Sequence, residues 1–76
     1  MASLMRKIDA IARSHNAQRV IGIRVRLGAL AHMTPEHFRE HFAAASRGSI
    51  AQGALVEAEP CADLFDVFLV DAELEA

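Results

Sequence analysis

The chain has 76 residues, a formal net charge of −2 and a single cysteine, Cys61. A chain of that size forms one domain, 1–76, with a thin core, because it buries only roughly 60% of its unfolded surface. The lone thiol excludes an internal disulfide and a four-cysteine zinc site, and the acidic balance without Trp or Tyr argues against a nucleic-acid surface. No apolar run approaches the roughly 20 residues that cross a bilayer. One thiol without a secretory signal fits a reducing compartment, so a cytoplasmic location is expected.

Leu4, Ile8, Ile11, Ala12 and His15 recur at helical spacing, and Met5 widens the stripe. They predict a helix over 3–16, with Ser3 as N-cap and Asn16 as stop. From Arg19 to Leu27, Ile21, Ile23, Val25 and Leu27 alternate with Gly22, Arg24 and Arg26, which is a strand with one buried face. Gly28 ends it, and Gly22 allows a bend or a close approach. Thr34-Pro35-Glu36 then opens a second helix over 35–47, its apolar stripe made by Phe38, Phe42 and Ala45 and its stop by Gly48. A second strand covers Ala54–Glu59, with Ala54, Val56 and Ala58 inward and Pro60 at its end. The third runs from Asp66 to Glu75 in an ambiguous phase. Phe68, Val70, Ala72 and Leu74 share one face and Val67 and Leu69 the other, unless a bulge near Asp71 switches it.

The order is α-β-α-β-β. Its β-α-β unit implies two parallel strands joined by a right-handed crossover, and the short connection from Pro60 to Phe65 suits an antiparallel return. An α/β fold is expected, with two helices on one face of a three-stranded mixed sheet. The open face would carry Arg24 and Arg26 opposite Glu57, Glu59, Glu73 and Glu75, together with Leu55, Val67 and Leu69. Two copies could match those charges across a two-fold axis, so a homodimer is expected.

His37 and His41 lie four apart, on one side of the second helix, within His37-Phe38-Arg39-Glu40-His41. The order HxxEH is an inverted zinc motif, but no third ligand follows and Arg39 adds a repelling charge. His32-Met33 offers an imidazole beside a thioether in a loop. Cys61 has Asp63 nearby, which opposes thiolate formation, and no nucleophile–base arrangement or phosphate loop is present, so an enzyme is not expected.

Ser3-Leu4-Met5 with Ile8, Ala17–Val20, Val25–Leu30, Pro35-Glu36, Phe38, Phe42, Gly48 and Gly53-Ala54 together resemble the HypA/HybF nickel metallochaperones. The resemblance spans 3–60 and returns at 71–75. It implies an accessory role in nickel–iron hydrogenase maturation, with nickel as cargo and a hydrogenase large subunit or the maturation GTPase as partner. The family begins Met-His-Glu and binds nickel through the N-terminal amine and the second-residue His. Here Met1 is followed by Ala2 and Ser3, so the inherited metal site reduces to Met1. The family also inserts a zinc domain with two CxxC pairs, where this chain has Pro60-Cys61-Ala62-Asp63-Leu64-Phe65. No zinc is expected, and nickel binding should be weak or lost. The chain then reads as a protein-binding module, the alternative being a self-associating structural or regulatory domain without a metal role.

Overall fold

A computed structural model describes residues 1–29, 33–62 and 66–76. The elements are α1 (Ala2–Ser14), β1 (Arg19–Gly28), α2 (Pro35–Ala45), β2 (Leu55–Cys61) and β3 (Val67–Glu75), which is the expected α-β-α-β-β order. The strand order is β2-β1-β3, with β1 parallel to β2 and antiparallel to β3. The return at the end of the chain is therefore antiparallel, but it is laid along the far side of β1 rather than beside β2.

Helix α1 starts one residue earlier than the pattern indicates. Its N-cap is Met1, without a side-chain hydrogen bond, and Ser3 lies inside the helix. Its end follows the sequence closely. Asn16 takes φ +53°, the Asn16 N–H bonds to the Arg13 carbonyl at 3.2 Å and the Ala17 N–H to the Ala12 carbonyl at 2.9 Å. That is a Schellman closure, which asparagine tolerates better than most side chains. Helix α2 begins as its sequence dictates: Pro35 occupies the first turn and the Thr34 hydroxyl accepts from the His37 N–H at 3.1 Å. It ends at Ser46 rather than Gly48, which takes φ +80° in the following turn.

One core joins both helices to one sheet face. Ile8 and Ala12 from α1, Val20, Ile23, Val25 and Leu27 from β1, Phe38 and Phe42 from α2, and Ala51 are buried. Leu4, Val56 and Ala58 pack against them at the margin, and Ile11 is half-buried. Ile21, expected inside, is 37% exposed, while Val20 is fully buried. The reason is a register break. Val20 faces Leu74 and Gly22 faces Glu73, so Ile21 is the extra residue of a bulge. A Cβ added at Gly22 would meet only ordinary contacts, the nearest at 3.5 Å, so the local irregularity belongs to Ile21 rather than to a steric need for glycine.

A second break lies in β3. Arg24 faces Asp71 and Val25 faces Leu69, which leaves Val70 unpaired. This bulge beside Asp71 switches the strand's phase. Val67 and Leu69 join Ala72 and Leu74 against the core, and Phe68 turns outward. The placement of Val67 and Leu69 on the open face is thereby corrected. Pro60 does not end β2 but sits within it, opposite Leu27. An edge strand tolerates proline because one side of it needs no ladder donor.

Phe38 and Phe42 stack at 6.3 Å between centroids and fasten α2 to the sheet. Phe42→Ala is expected to lower unfolding free energy by about 3–5 kcal/mol. Denaturant titration checks this, with the exposed Leu55→Ala as a control within about 0.5 kcal/mol of the parent.

Candidate functional site

The three residues singled out for metal, Met1, His37 and His41, fall at one end of the fold. Met1 and His41 line a common cavity of about 320 Å³, together with Met33, Phe38 and Asp66. Met1 comes from the start of α1, His41 and Phe38 from α2, and Asp66 from just before β3. His37 is one turn before His41, and the two Nε2 atoms are 2.8 Å apart. The thioether of Met33 reaches this cavity from the segment before α2, while its neighbour His32 lies outside the described residues.

The helix fixes the direction of the pair. Phe38 and Phe42 point into the core, so His37 and His41, one residue earlier in each turn, project along the solvent boundary. Arg39, expected to repel a cation there, is drawn elsewhere: its Nε donates to the Val56 carbonyl on β2 at 3.1 Å. Among the described residues no group of three or more His, Cys, Asp or Glu is arranged to hold a metal. His15 is tied to its own helix, with Nδ1 2.9 Å from the Ile11 carbonyl. Cys61 is half-buried at the end of β2, where it faces Gly28.

The second candidate surface is the sheet face without helices. Arg24 sits at its centre and reaches both ways, 3.2 Å to Glu57 on β2 and 3.6 Å to Asp71 on β3. The expected partners on β3 were Glu73 and Glu75; the Val70 bulge brings Asp71 to Arg24 instead. Leu55 is 78% exposed and Phe68 55%, and both are on β strands that flank this row of charges. Their register positions are Gly22 and Arg26, so they stand on opposite sides of the Arg24 cluster. Phe68 was missed as an outward residue because its alternation with Val70, Ala72 and Leu74 masks the phase switch.

Comparison with known proteins now bears on this geometry. The profile of a family described as hydrogenase/urease nickel incorporation, metallochaperone, HypA, matches residues 1–64. The chain belongs to the HypA family. A hydrogenase maturation factor HypA of Chlorobium luteolum is 40% identical over 75 residues, covering 91% of this chain and 64% of the relative. HypA of Methylocella silvestris is 42% identical over 55 residues, covering 72% of this chain and 49% of the relative. HypA of Archaeoglobus fulgidus is 36% identical over 55 residues, covering 72% and 50%. The chain thus spans about half to two-thirds of the length of these HypA relatives. Among the described residues no helix is long and apolar enough to cross a membrane.

The Arg24 cluster is solvent-exposed, with side chains 53–75% accessible. Its ion pairs should therefore contribute little: Arg24→Ala is expected to cost about 1 kcal/mol or less, shrinking further in high salt. Chemical denaturation of the parent and of Arg24→Ala at low and high ionic strength measures this.

Proposed function

We propose that this HypA-family chain is an accessory protein of nickel–iron hydrogenase maturation that acts mainly by docking to a protein partner, with weak metal binding of its own. The relatives named above are hydrogenase maturation factors, and the matched family is described by nickel incorporation. The observation that carries the docking reading is the open sheet face, where Phe68 and Leu55 remain exposed on either side of a charge cluster. Aromatic and aliphatic anchors beside charged groups are what a partner's surface uses for affinity and orientation. A hydrogenase large subunit or the maturation GTPase is the occupant this reading names.

Metal binding is weak on chemical grounds. Ala2 supplies no imidazole at the N-terminus, so Met1 offers only its own groups there, and His37 with His41 adds two donors on α2. Zinc held by thiolates is not part of the reading, since Cys61 is the only cysteine. The family role is metal delivery, and no catalytic step is assigned to the chain.

Self-association through the same face is the second reading. It draws on Arg24 and Arg26 lying on the surface that also carries Glu57, Asp71 and Glu73, since opposite charges can pair between two copies. Phe68→Lys tests both. It is expected to abolish capture of the hydrogenase subunit or GTPase by the purified chain while circular dichroism and the unfolding midpoint stay unchanged. Light scattering at several concentrations reads the dimer separately. Capture unaffected by Phe68→Lys and Leu55→Lys would refute docking through this face. Leu69→Lys serves as the contrast: it should destabilise the fold, because Leu69 packs against the core.

A further inference from the structure

The helix-free sheet face has a gap over its middle strand. Gly22 lies there between Leu55 on β2 and Glu73 on β3, its register partners on the two sides. With no side chain at Gly22, an open depression of about 110 Å³ is left, walled by Arg24, Leu55, Glu57, Asp71 and Glu73. Gly22 is its floor and is itself buried beneath these side chains. An added Cβ would meet only ordinary contacts, so the backbone does not require glycine at this position. The nearest of those contacts is a carboxylate oxygen of Glu73 at 3.5 Å, which shows that this side chain leans over the gap.

The depression is charged unevenly. Three carboxylates, Glu57, Asp71 and Glu73, share it with one guanidinium, and Arg24 is already engaged with Glu57 and Asp71. Among the described residues Glu73 makes no ion pair, and the acids are not arranged to hold a metal ion. The volume suits the end of one side chain, about the bulk of three or four waters. An apolar group pressed onto this spot would strip water from the carboxylates without replacing its hydrogen bonds, which is costly. A lysine or arginine supplies the missing donors, and its methylene stem can lie along exposed Leu55. A second copy of the chain fits poorly. The same face carries Glu59 and Glu75, so facing copies bring acid against acid, while Arg26 already neighbours Glu59 across the strands.

We propose that the depression over Gly22 receives one lysine or arginine side chain of a partner protein, with Glu73 as its principal counter-charge. Phe68 supplies a second, apolar contact. It faces Arg26, four residues along β1 from Gly22, which is about 13 Å at the rise of a strand. The matching surface therefore presents a basic and an apolar side chain at that spacing. Residues four apart on one side of an extended segment meet it. The proposal rests on the docking reading and adds to it the chemistry of the partner.

Two measurements test the basic anchor. In the first, the isotope-labelled full chain is titrated by NMR with the blocked pentapeptide Lys-Thr-Ser-Thr-Leu and with the same peptide acetylated on its lysine, which removes the charge. The amides of Gly22, Leu55 and Glu73 are expected to shift with the first peptide and not with the second. In the second, capture of the hydrogenase large subunit and of the maturation GTPase is measured. Glu73→Lys should weaken capture at least tenfold, and Glu73→Gln about threefold with a shallower dependence on salt. Gly22→Ala should weaken it severalfold while the unfolding midpoint stays the same or rises, because glycine weakens a strand interior. Glu40→Lys on α2, away from this face, should stay within twofold of the parent. Loss of capture in Phe68→Lys alone, with Glu73→Lys and Gly22→Ala within twofold, overturns the anchor and leaves docking through this face standing. Equal shifts with both peptides, or none with either, overturn it as well. Lysine-specific shifts at Gly22 without capture of either protein support the anchor and reject the choice of partner. A dimer in light scattering that Glu73→Lys dissociates assigns the anchor to a second copy and overturns the proposed partner.

Discussion

The central strand is the constraint on which the rest depends. β1 is paired along both edges, parallel to β2 and antiparallel to β3, and one face is sealed by the two helices. Val20, Ile23, Val25 and Leu27 supply that sealed face, and all four are buried. A chain this short has little other apolar mass to bury, so the helices must lie over this strand to remove their own stripes from water. The parallel pair with β2 needs a crossover, and α2 provides it, tied down by Phe38 and Phe42. The short segment after β2 then returns along the free side of β1, which leaves β2 and β3 as the two edges.

Two bulges decide what the open face displays. At Ile21 an extra residue lets Val20 and Ile23 both face the core, though strict alternation would put them on opposite sides. At Val70 a second extra residue brings Leu69 and Ala72 to the same side in the same way. The outcome is that Phe68, not Leu69, stands outside, and Asp71, not Glu73, meets Arg24. A bulge moves one residue out of the ladder but reverses the facing of everything beyond it. The character of the helix-free sheet face therefore rests on two backbone irregularities.

The two candidate surfaces lie apart in the fold. The histidine pair belongs to the helical layer, near the cavity shared by Met1 and His41, whereas Phe68, Leu55 and the Arg24 cluster belong to the helix-free side of the sheet. Substitutions in one set can therefore be made without disturbing the other, because neither set of side chains supports the other. The helix also resolves an electrostatic conflict. Arg39 lies between the two histidines in sequence, yet its side chain satisfies a carbonyl of edge strand β2 and so blunts that edge as well.

The sequence by itself determined the element order, the layering, the stop of α1 and the start of α2. Those features are local: the Thr34-Pro35 start, the Asn16 stop and the spacing of Ile8, Ala12, Phe38 and Phe42 each act within a turn or two. It also determined that His37 and His41 share a helix side, since four residues make about one turn. What only the tertiary structure decided was non-local. Strand order depends on which side of β1 the returning chain finds open, and a short connection serves either side. Both bulges depend on matching β3 to β1 under a helical layer, so no pattern within one strand distinguishes Leu69 from Phe68 as the buried neighbour. The meeting of Met1 with His41 in one cavity likewise joins residues 40 positions apart, brought together because α1 and α2 cover the same face of one sheet.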